Sequence, residues 1–240
     1  MTTAGIVRAV VPDPRHRPPA DAWFRAVPAV AQVLDDGWPL APATVLVGEN
    51  GAGKSTLVEA VALAFGLGPE GGSTGSMHVT RTSESELWRH VLLRREAGAP
   101  RRGFFLRAET MHAFYTYLED NPGGPEPAFH EMSHGESFLA LVSERMTRHG
   151  LYVLDEPESA LSFTGCLALV AHLHDLVARG SQVILSTHSP VLAALPGAQI
   201  TEVGEWGLRT SAWEDLEVVL RWRGFLDDPR RYLRHVLDTP

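Results

Sequence analysis

Gly48-Glu49-Asn50-Gly51-Ala52-Gly53-Lys54-Ser55 is the stretch that decides how this chain reads. It fits the spacing G-x-x-x-x-G-K-[ST] at every fixed position. Glycines at these places let the backbone fold tightly, so that its N–H groups turn toward an anion. A lysine directly after the last glycine reaches the outer phosphates of a phosphate chain, and the Ser55 hydroxyl is placed to ligate Mg²⁺. Both flanks agree. Val45-Leu46-Val47 reads as a short buried strand entering the turn. Leu57, Val58, Val61, Ala62 and Phe65 then recur at helical spacing over Ser55 to Phe65. The helix N-terminus adds an anion preference of its own. Glu49, Asn50, Gly51, Ala52, Gly53, Lys54, Ser55 and Thr56 are therefore the candidate phosphate-binding set.

Two further apolar runs end in polar chemistry. Leu151-Tyr152-Val153-Leu154 leads into Asp155-Glu156, which puts two carboxylates at the C-terminal edge of a buried strand. Ligands sit at that edge in open α/β sheets. Asp155 is the candidate metal ligand, and Glu156 the candidate carboxylate that polarises an attacking water. Val183-Ile184-Leu185 leads into Ser186-Thr187-His188-Ser189. A lone histidine is most often structural, but at a strand end beside a phosphate site His188 can donate to the terminal phosphate.

The remaining segments read more coarsely. Ile6 to Val11 is a β-branched strand, and Pro12 to Pro19 a loop. Glu84 to Arg95 reads as an amphipathic helix, Phe104 to Leu106 as a strand, and Asn121 to Pro127 as a loop. Helices are expected over Glu136 to Arg148 and Ser159 to Ala178, the first stopped by Gly150 and the second by Gly180. Gln182 to Leu185 is a strand, followed by a short Leu/Ala segment and an acidic-to-basic tail. Strands alternating with helices predict an α/β fold with a mainly parallel sheet covered by helices.

Bulk properties bound the function. At 240 residues with 44% hydrophobic content, one large domain with a real core is expected. A net charge of −8 argues against indiscriminate nucleic-acid binding, which needs a positive surface. The single cysteine, Cys166, makes no intrachain disulfide and reads as a small buried residue in a reducing cytosol. No apolar run is long enough to cross a bilayer, and the N-terminal stretch lacks an apolar core of signal-peptide length. The expectation is a cytoplasmic protein with no membrane insertion of its own.

Ser133-His134-Gly135-Glu136-Ser137 opens a helix and completes a recognisable order. Gly48 to Ser55 as Walker A, this Ser-x-Gly-Glu signature, Leu151 to Glu156 as Walker B, Ser159-Ala160-Leu161-Ser162 as a D-loop and His188 as a switch histidine resemble the ABC ATPases. In particular the chain resembles bacterial stand-alone AAA/ABC-type ATPases related to the structural-maintenance and double-strand-break-repair ATPases. Gly103 to Glu109 and Asp227 to Asp238 also look like that group. The resemblance implies a P-loop NTPase fold spanning 1–240, with a small helical lobe carrying the signature over approximately 77–149. It implies Mg²⁺-dependent ATP hydrolysis in a homodimer that sandwiches two ATP molecules, with Ser133 and Gly135 contacting ATP held by the partner. There are two departures. His134 and Glu136 stand where the usual signature has a glycine and a glutamine. No glutamine ends a strand before the signature, so Glu109 is the candidate replacement and a candidate metal ligand.

Other features weigh less. His130-Glu131-Met132-Ser133-His134 matches H-E-x-x-H, but that zinc pattern needs a continuous helix, and a Pro/Gly loop precedes it while Gly135 follows. His172 and His174 point different ways on a helix. Arg94, Arg95, Arg101 and Arg102 form a basic stretch that reads either as a phosphate-contacting patch or as a solvated turn. Arg81, Arg89 and His90 extend it. Trp23 and Phe24 read as core or surface aromatics rather than a base-stacking site, and Gly71, Gly72 and Gly75 as a flexible loop. Genome maintenance or defence is the expected setting. The alternatives are a transporter's nucleotide-binding subunit or an ATP-gated scaffold for a partner nuclease. DNA and a partner protein both stand as candidate partners.

Overall fold

The computed structural model describes residues 5–69, 72–73, 85–108 and 133–237. Glu109, His130, Glu131, Arg81, Gly71, Gly75 and the Asn121 to Pro127 loop lie outside these residues. Strand β1 (Val7–Pro12) leads through the helix Pro28–Asp36 to β2 (Trp38–Pro39) and β3 (Ala43–Gly48). The helix Lys54–Phe65 follows, then β4 (Gly72–Ser73), β5 (Val91–Arg95) and β6 (Gly103–Arg107). The helix His134–Arg145 precedes β7 (Leu151–Asp155), and the helix Phe163–Ala178 precedes β8 (Gln182–Thr187). The chain continues through the short helix Pro190–Ala193, β9 (Gln199–Gly204), β10 (Gly207–Thr210) and the helices Glu217–Asp227 and Pro229–Leu237.

Seven strands form the main sheet in the order β10-β9-β3-β8-β7-β6-β4. The five inner strands are parallel, and an antiparallel strand closes each edge. Parallel strands need helical crossovers, which cover both faces and make the strands apolar throughout. The side chains divide accordingly. Val45, Val47, Phe104, Leu106, Tyr152, Leu154, Val183 and Leu185 face the helices His134–Arg145 and Phe163–Ala178. Leu46, Phe105, Leu151, Val153 and Ile184 face the other core, with the helices Pro28–Asp36 and Lys54–Phe65. This is the α/β architecture expected from strands alternating with helices. Among the described residues no helix is long and apolar enough to cross a membrane.

Three elements differ from the sequence reading. The helix expected over Glu84 to Arg95 is a 3-10 turn, Leu87–His90, followed by strand β5 in a second sheet of order β2-β1-β5. Period two won there: Val91, Leu93 and Arg95 turn inward while Leu92 and Arg94 are exposed. The interval 77–149 thus contributes two strands as well as the helix His134–Arg145. The helix expected from Ser159 breaks into a 3-10 turn, Pro157–Ala160, and a helix that restarts where Ser162 Oγ accepts from Gly165 N at 3.1 Å. The segment read as a C-terminal tail is a hairpin and two helices. Gly204-Glu205-Trp206-Gly207 between two β-prone runs is a hairpin signal.

Gln182 ties the two sheets together. It is wholly buried. Its Oε1 accepts from Val7 N at 2.7 Å, and its Nε2 donates to Val7 O at 2.8 Å and Ala41 O at 2.9 Å. A leucine there leaves three backbone groups without partners. Gln182→Leu is expected to destabilise the fold by about 2–4 kcal/mol in urea titrations, and a loss under about 1 kcal/mol would show the bridge to be dispensable.

Candidate functional site

The site assembles where β3, β7 and β8 end, because their parallel register brings three carboxyl ends to one edge. Asp155 pairs in register with Ser186, and Val47 with Thr187. Beyond Val47, Gly48 passes so close to β9 that an added Cβ would meet Val203 O at 2.3 Å. Gly53 takes φ +100°, and a Cβ there would meet Val27 Cγ1 at 2.6 Å. The loop therefore cannot carry side chains at these two points, and its close turn delivers Lys54 to the first position of its helix.

Lys54 is 3% exposed. Its Nζ donates to Glu49 O at 3.0 Å and lies 2.9 Å from His188 Nε2 and 3.8 Å from Glu156 Oε1. Burial pushes its pKa below the ordinary value, opposed by the charges of Glu156, Asp155 and Glu158. His188 Nε2 also lies 3.0 Å from Glu156 Oε1. One imidazole nitrogen cannot accept from an ammonium and donate to a carboxylate at once. The His188 ring is therefore poised between two partners, and its tautomer decides which it keeps. Glu156 itself takes φ +50°, the only positive φ outside glycine among the described residues. Such a conformation costs about 1 kcal/mol or more. Glu156 N donates to Ser186 O at 3.1 Å, which fixes the turn.

Asp155 is 4% exposed. Ser186 Oγ donates to Asp155 Oδ1, and the Arg107 guanidinium lies 3.4 Å from Oδ2. Arg107 stands opposite Asp155 in the ladder and also donates to Glu59 Oε2 at 2.8 Å. Burial raises the Asp155 carboxyl above its ordinary value, while hydrogen bonds from Ser186 and Ser55 and the Arg107 charge pull it back. Ser55 follows Lys54 at the start of the same helix, and its hydroxyl is among the groups that pull the Asp155 carboxyl back. A hydroxyl and a carboxylate at this edge offer an all-oxygen donor pair that suits a hard cation such as Mg²⁺, which keeps most of its waters.

The other expected site residues fall as follows. Glu49 and Asn50 are exposed on the loop. Gly51 takes φ +79°, Ala52 lies half-buried after it, and Thr56 lies half-buried in the helix behind Lys54. Ser133 caps the helix His134–Arg145 in a closed box: Glu136 N donates to Ser133 Oγ at 3.4 Å, while Ser133 N and Oγ donate to Glu136 Oε2 at 3.0 and 2.6 Å. Glu136 thus turns back onto Ser133, and these bonds hold its carboxyl below the ordinary range. Gly135 packs against the turn Pro157–Ala160, where an added Cβ would stand 3.4 Å from Ala160 O. Among the described residues no group of three or more potential ligands forms a metal cluster.

Several contributors were missed in the sequence. Arg107 and Ser186 hold Asp155, and Glu158, two residues past Glu156, accepts from the His188 and Ser189 N–H groups. A cavity of about 750 Å³ opens beside the loop, lined by Gly48 to Ala52 and His188 on one side and by Trp206, Arg221 and Trp222 on the other. Arg221 bonds to Glu49 of the loop and to Glu217. These residues come from the C-terminal elements read as a tail. Phe24 is buried and Trp23 is exposed, and neither lines that cavity. Of the basic stretch, Arg95 folds over the Phe65 ring at 4.5 Å, while Arg94, Arg101 and Arg102 are exposed.

The chain is similar to known proteins over much of its length. The family model described as "AAA domain, putative AbiEii toxin, Type IV TA system" matches residues 67–194, more than half of the chain. A second model, "AAA domain", matches residues 40–92, which hold the Gly48 to Ser55 loop. The chain belongs to this family of AAA/ABC-type, ATP-binding P-loop domains. A Haemophilus influenzae protein named "Uncharacterized ABC transporter ATP-binding protein" is 26% identical over 179 residues, 65% of this chain and 67% of that protein. The cytochrome c biogenesis ATP-binding export protein CcmA of Aliivibrio fischeri is 28% identical over 158 residues, 59% of this chain and 76% of its own. Among solved structures, the SMC head domain from Thermotoga maritima aligns over 73% of this chain and 93% of its own at 15% identity, with a TM-score of 0.43.

The raised Asp155 carboxyl carries a pH dependence. A carboxyl whose pKa rises on folding costs stability once ionised, and this cost is absent below the unfolded value. Asp155→Asn is expected to stabilise the nucleotide-free protein at neutral pH. The gain should shrink as the pH falls through the raised value and vanish below the ordinary 3.8. Denaturation midpoints of the two proteins across pH measure this, and a gain that persists in acid would exclude charge as its source.

Proposed function

We propose that this chain binds and hydrolyses Mg²⁺-ATP and that ATP joins two copies of it. The observation that carries this reading is the convergence of Lys54, Glu156 and His188 within 2.9–3.8 Å at the end of the phosphate loop. Lys54 and the loop N–H groups of Glu49 to Thr56 hold the phosphate chain. Ser55 and Asp155 hold Mg²⁺, which, when bound, neutralises charge on the β- and γ-phosphates. Glu156 accepts a proton from the attacking water, and His188 donates to the γ-phosphate. Leaving Glu156 frees His188 to do so, which its shared position between two partners favours. Ser133 and Gly135 cap the nucleotide held by the other copy. Glu109 remains the proposed counterpart of the missing glutamine.

The process served is proposed as genome maintenance or defence, in the cytoplasm. Support comes from the toxin-system wording of the matching family and from the exposed Arg94, Arg101 and Arg102, which are available to phosphates. The names of the two curated relatives favour a second reading, the ATP-binding subunit of a membrane transporter. A DNA-stimulated ATPase with steep salt dependence distinguishes the first from the second.

Lys54→Ala is expected to abolish ATP binding in calorimetry. Glu156→Gln should keep binding, lose hydrolysis by about a hundredfold or more, and shift the protein to a dimer on size exclusion with ATP. Tight ATP binding by Lys54→Ala would overturn the assignment of the loop. A Glu156→Gln protein that stays monomeric with ATP would overturn the sandwich.

A further inference from the structure

Strands β7 and β8 run side by side to Asp155 and Ser186, and the ladder makes its last contact at Glu156 N to Ser186 O, 3.1 Å. The chain of β8 then leaves the sheet. The N–H groups of His188 and Ser189 point away from any strand, and a backbone donor in such a place needs a partner from elsewhere. Glu158 supplies it. The turn Pro157–Ala160 directs the Glu158 side chain across the gap between the two strand ends. Its Oε1 accepts from both His188 N and Ser189 N, the latter at 3.2 Å and shared with Thr187 Oγ1 at 2.9 Å. Ser189 Oγ in turn accepts from Val191 N at 3.2 Å and Leu192 N at 3.4 Å, capping the helix that follows. The backbone on both sides of the His188 Cα is thereby pinned, and the ring is left to meet Lys54 and Glu156.

We propose that Glu158 is the positioning residue of the switch histidine: it joins the turn after Asp155-Glu156 to the loop carrying His188 and fixes where that imidazole stands. The inference rests on the ATPase reading given above. Glu158 acts through the backbone of His188 rather than on the reacting groups. Only one of its oxygens is used, since Oε2 is buried with no hydrogen-bond partner among the described residues. An amide oxygen at the same place can still accept both N–H groups, so a glutamine keeps the acceptor while removing the charge. Gly135 packs on the same turn at Ala160 O. A displacement of the signature helix would thus reach His188 through Glu158.

The test measures the His188 ring and catalysis separately. In nucleotide-free protein with ¹³C-labelled histidine, the His188 Cε1–H resonance is the one absent from His188→Gln. Glu158→Ala is expected to shift and broaden it, and to lower kcat about tenfold or more while KM for ATP stays within about twofold. Glu158→Gln should restore the resonance and bring kcat to within about threefold of the parent protein. An unchanged His188 resonance in Glu158→Ala, an unchanged kcat, or a Glu158→Gln protein as impaired as the alanine variant would each overturn the proposal. If Glu158→Ala does not fold, Glu158→Asp decides: its acceptor is withdrawn by one methylene, and parent-like behaviour overturns the idea. A parent protein without ATPase activity would sink the ATPase reading alone, because the resonance still reports positioning.

Discussion

A lysine ammonium held out of water is the constraint around which this molecule is arranged. Lys54 sits at the start of a helix, with its charge aimed at the junction of three strand ends. Desolvation of an ammonium is costly unless partners offset it. Here the offset comes from the Glu49 carbonyl, the His188 ring and the more distant Glu156 carboxylate. None of these is a close, fully charged ion pair. Glu156, Asp155 and Glu158 act on Lys54 from a distance and leave its ammonium without a close ion pair, while the loop N–H groups around it favour an anion. An anion with several oxygens fits such a place better than any side chain present.

The parallel sheet makes this geometry possible. Because β3, β8 and β7 run in one direction and in register, their last residues arrive together at one edge. Both faces are covered by helices, so the strands are largely apolar, with buried Thr44 and Gln182 as exceptions, and they turn polar where they reach the shared edge. The polar chemistry is therefore confined to a line a few residues wide. Arg107 belongs to the same line, standing opposite Asp155 at the end of β6, with its guanidinium divided between Asp155 and Glu59. The two carboxylates of the Asp155-Glu156 pair thus live in different surroundings. Asp155 is buried and restrained by Ser186 and Arg107, while Glu156 is held on a strained turn that projects its side chain toward the histidine.

Much of this was legible in the residues. The Gly48 to Ser55 loop, the Asp155-Glu156 pair and His188 each follow a run of apolar residues, and a local pattern suffices to find them. What escaped notice was set by tertiary contact. Val91 to Arg95 carries apolar and basic residues that suit a helix or a strand equally, and pairing with β1 decided between them. Glu158 shows no pattern of its own; its meaning comes from the backbone of a segment thirty residues later in the chain. The hairpin β9–β10 and the helix Glu217–Asp227 were read as a tail because their short apolar runs are interrupted. Yet they wall the cavity beside the loop, and Arg221 reaches Glu49 across it.

The closed box at Ser133 bears on what the first turn of its helix can accept from outside. The first turn of the helix His134–Arg145 already holds an anion, its own Glu136 carboxylate, bonded to the N–H and hydroxyl of Ser133. A phosphate arriving at that helix end does not meet bare donors. It exchanges places with a carboxylate that must swing out into water. The free energy of contact is then a difference between two anions on the same donors, smaller than either alone and sensitive to salt. A helix end built in this way discriminates by exchange, and any anion it accepts is selected by charge and reach rather than by contact area.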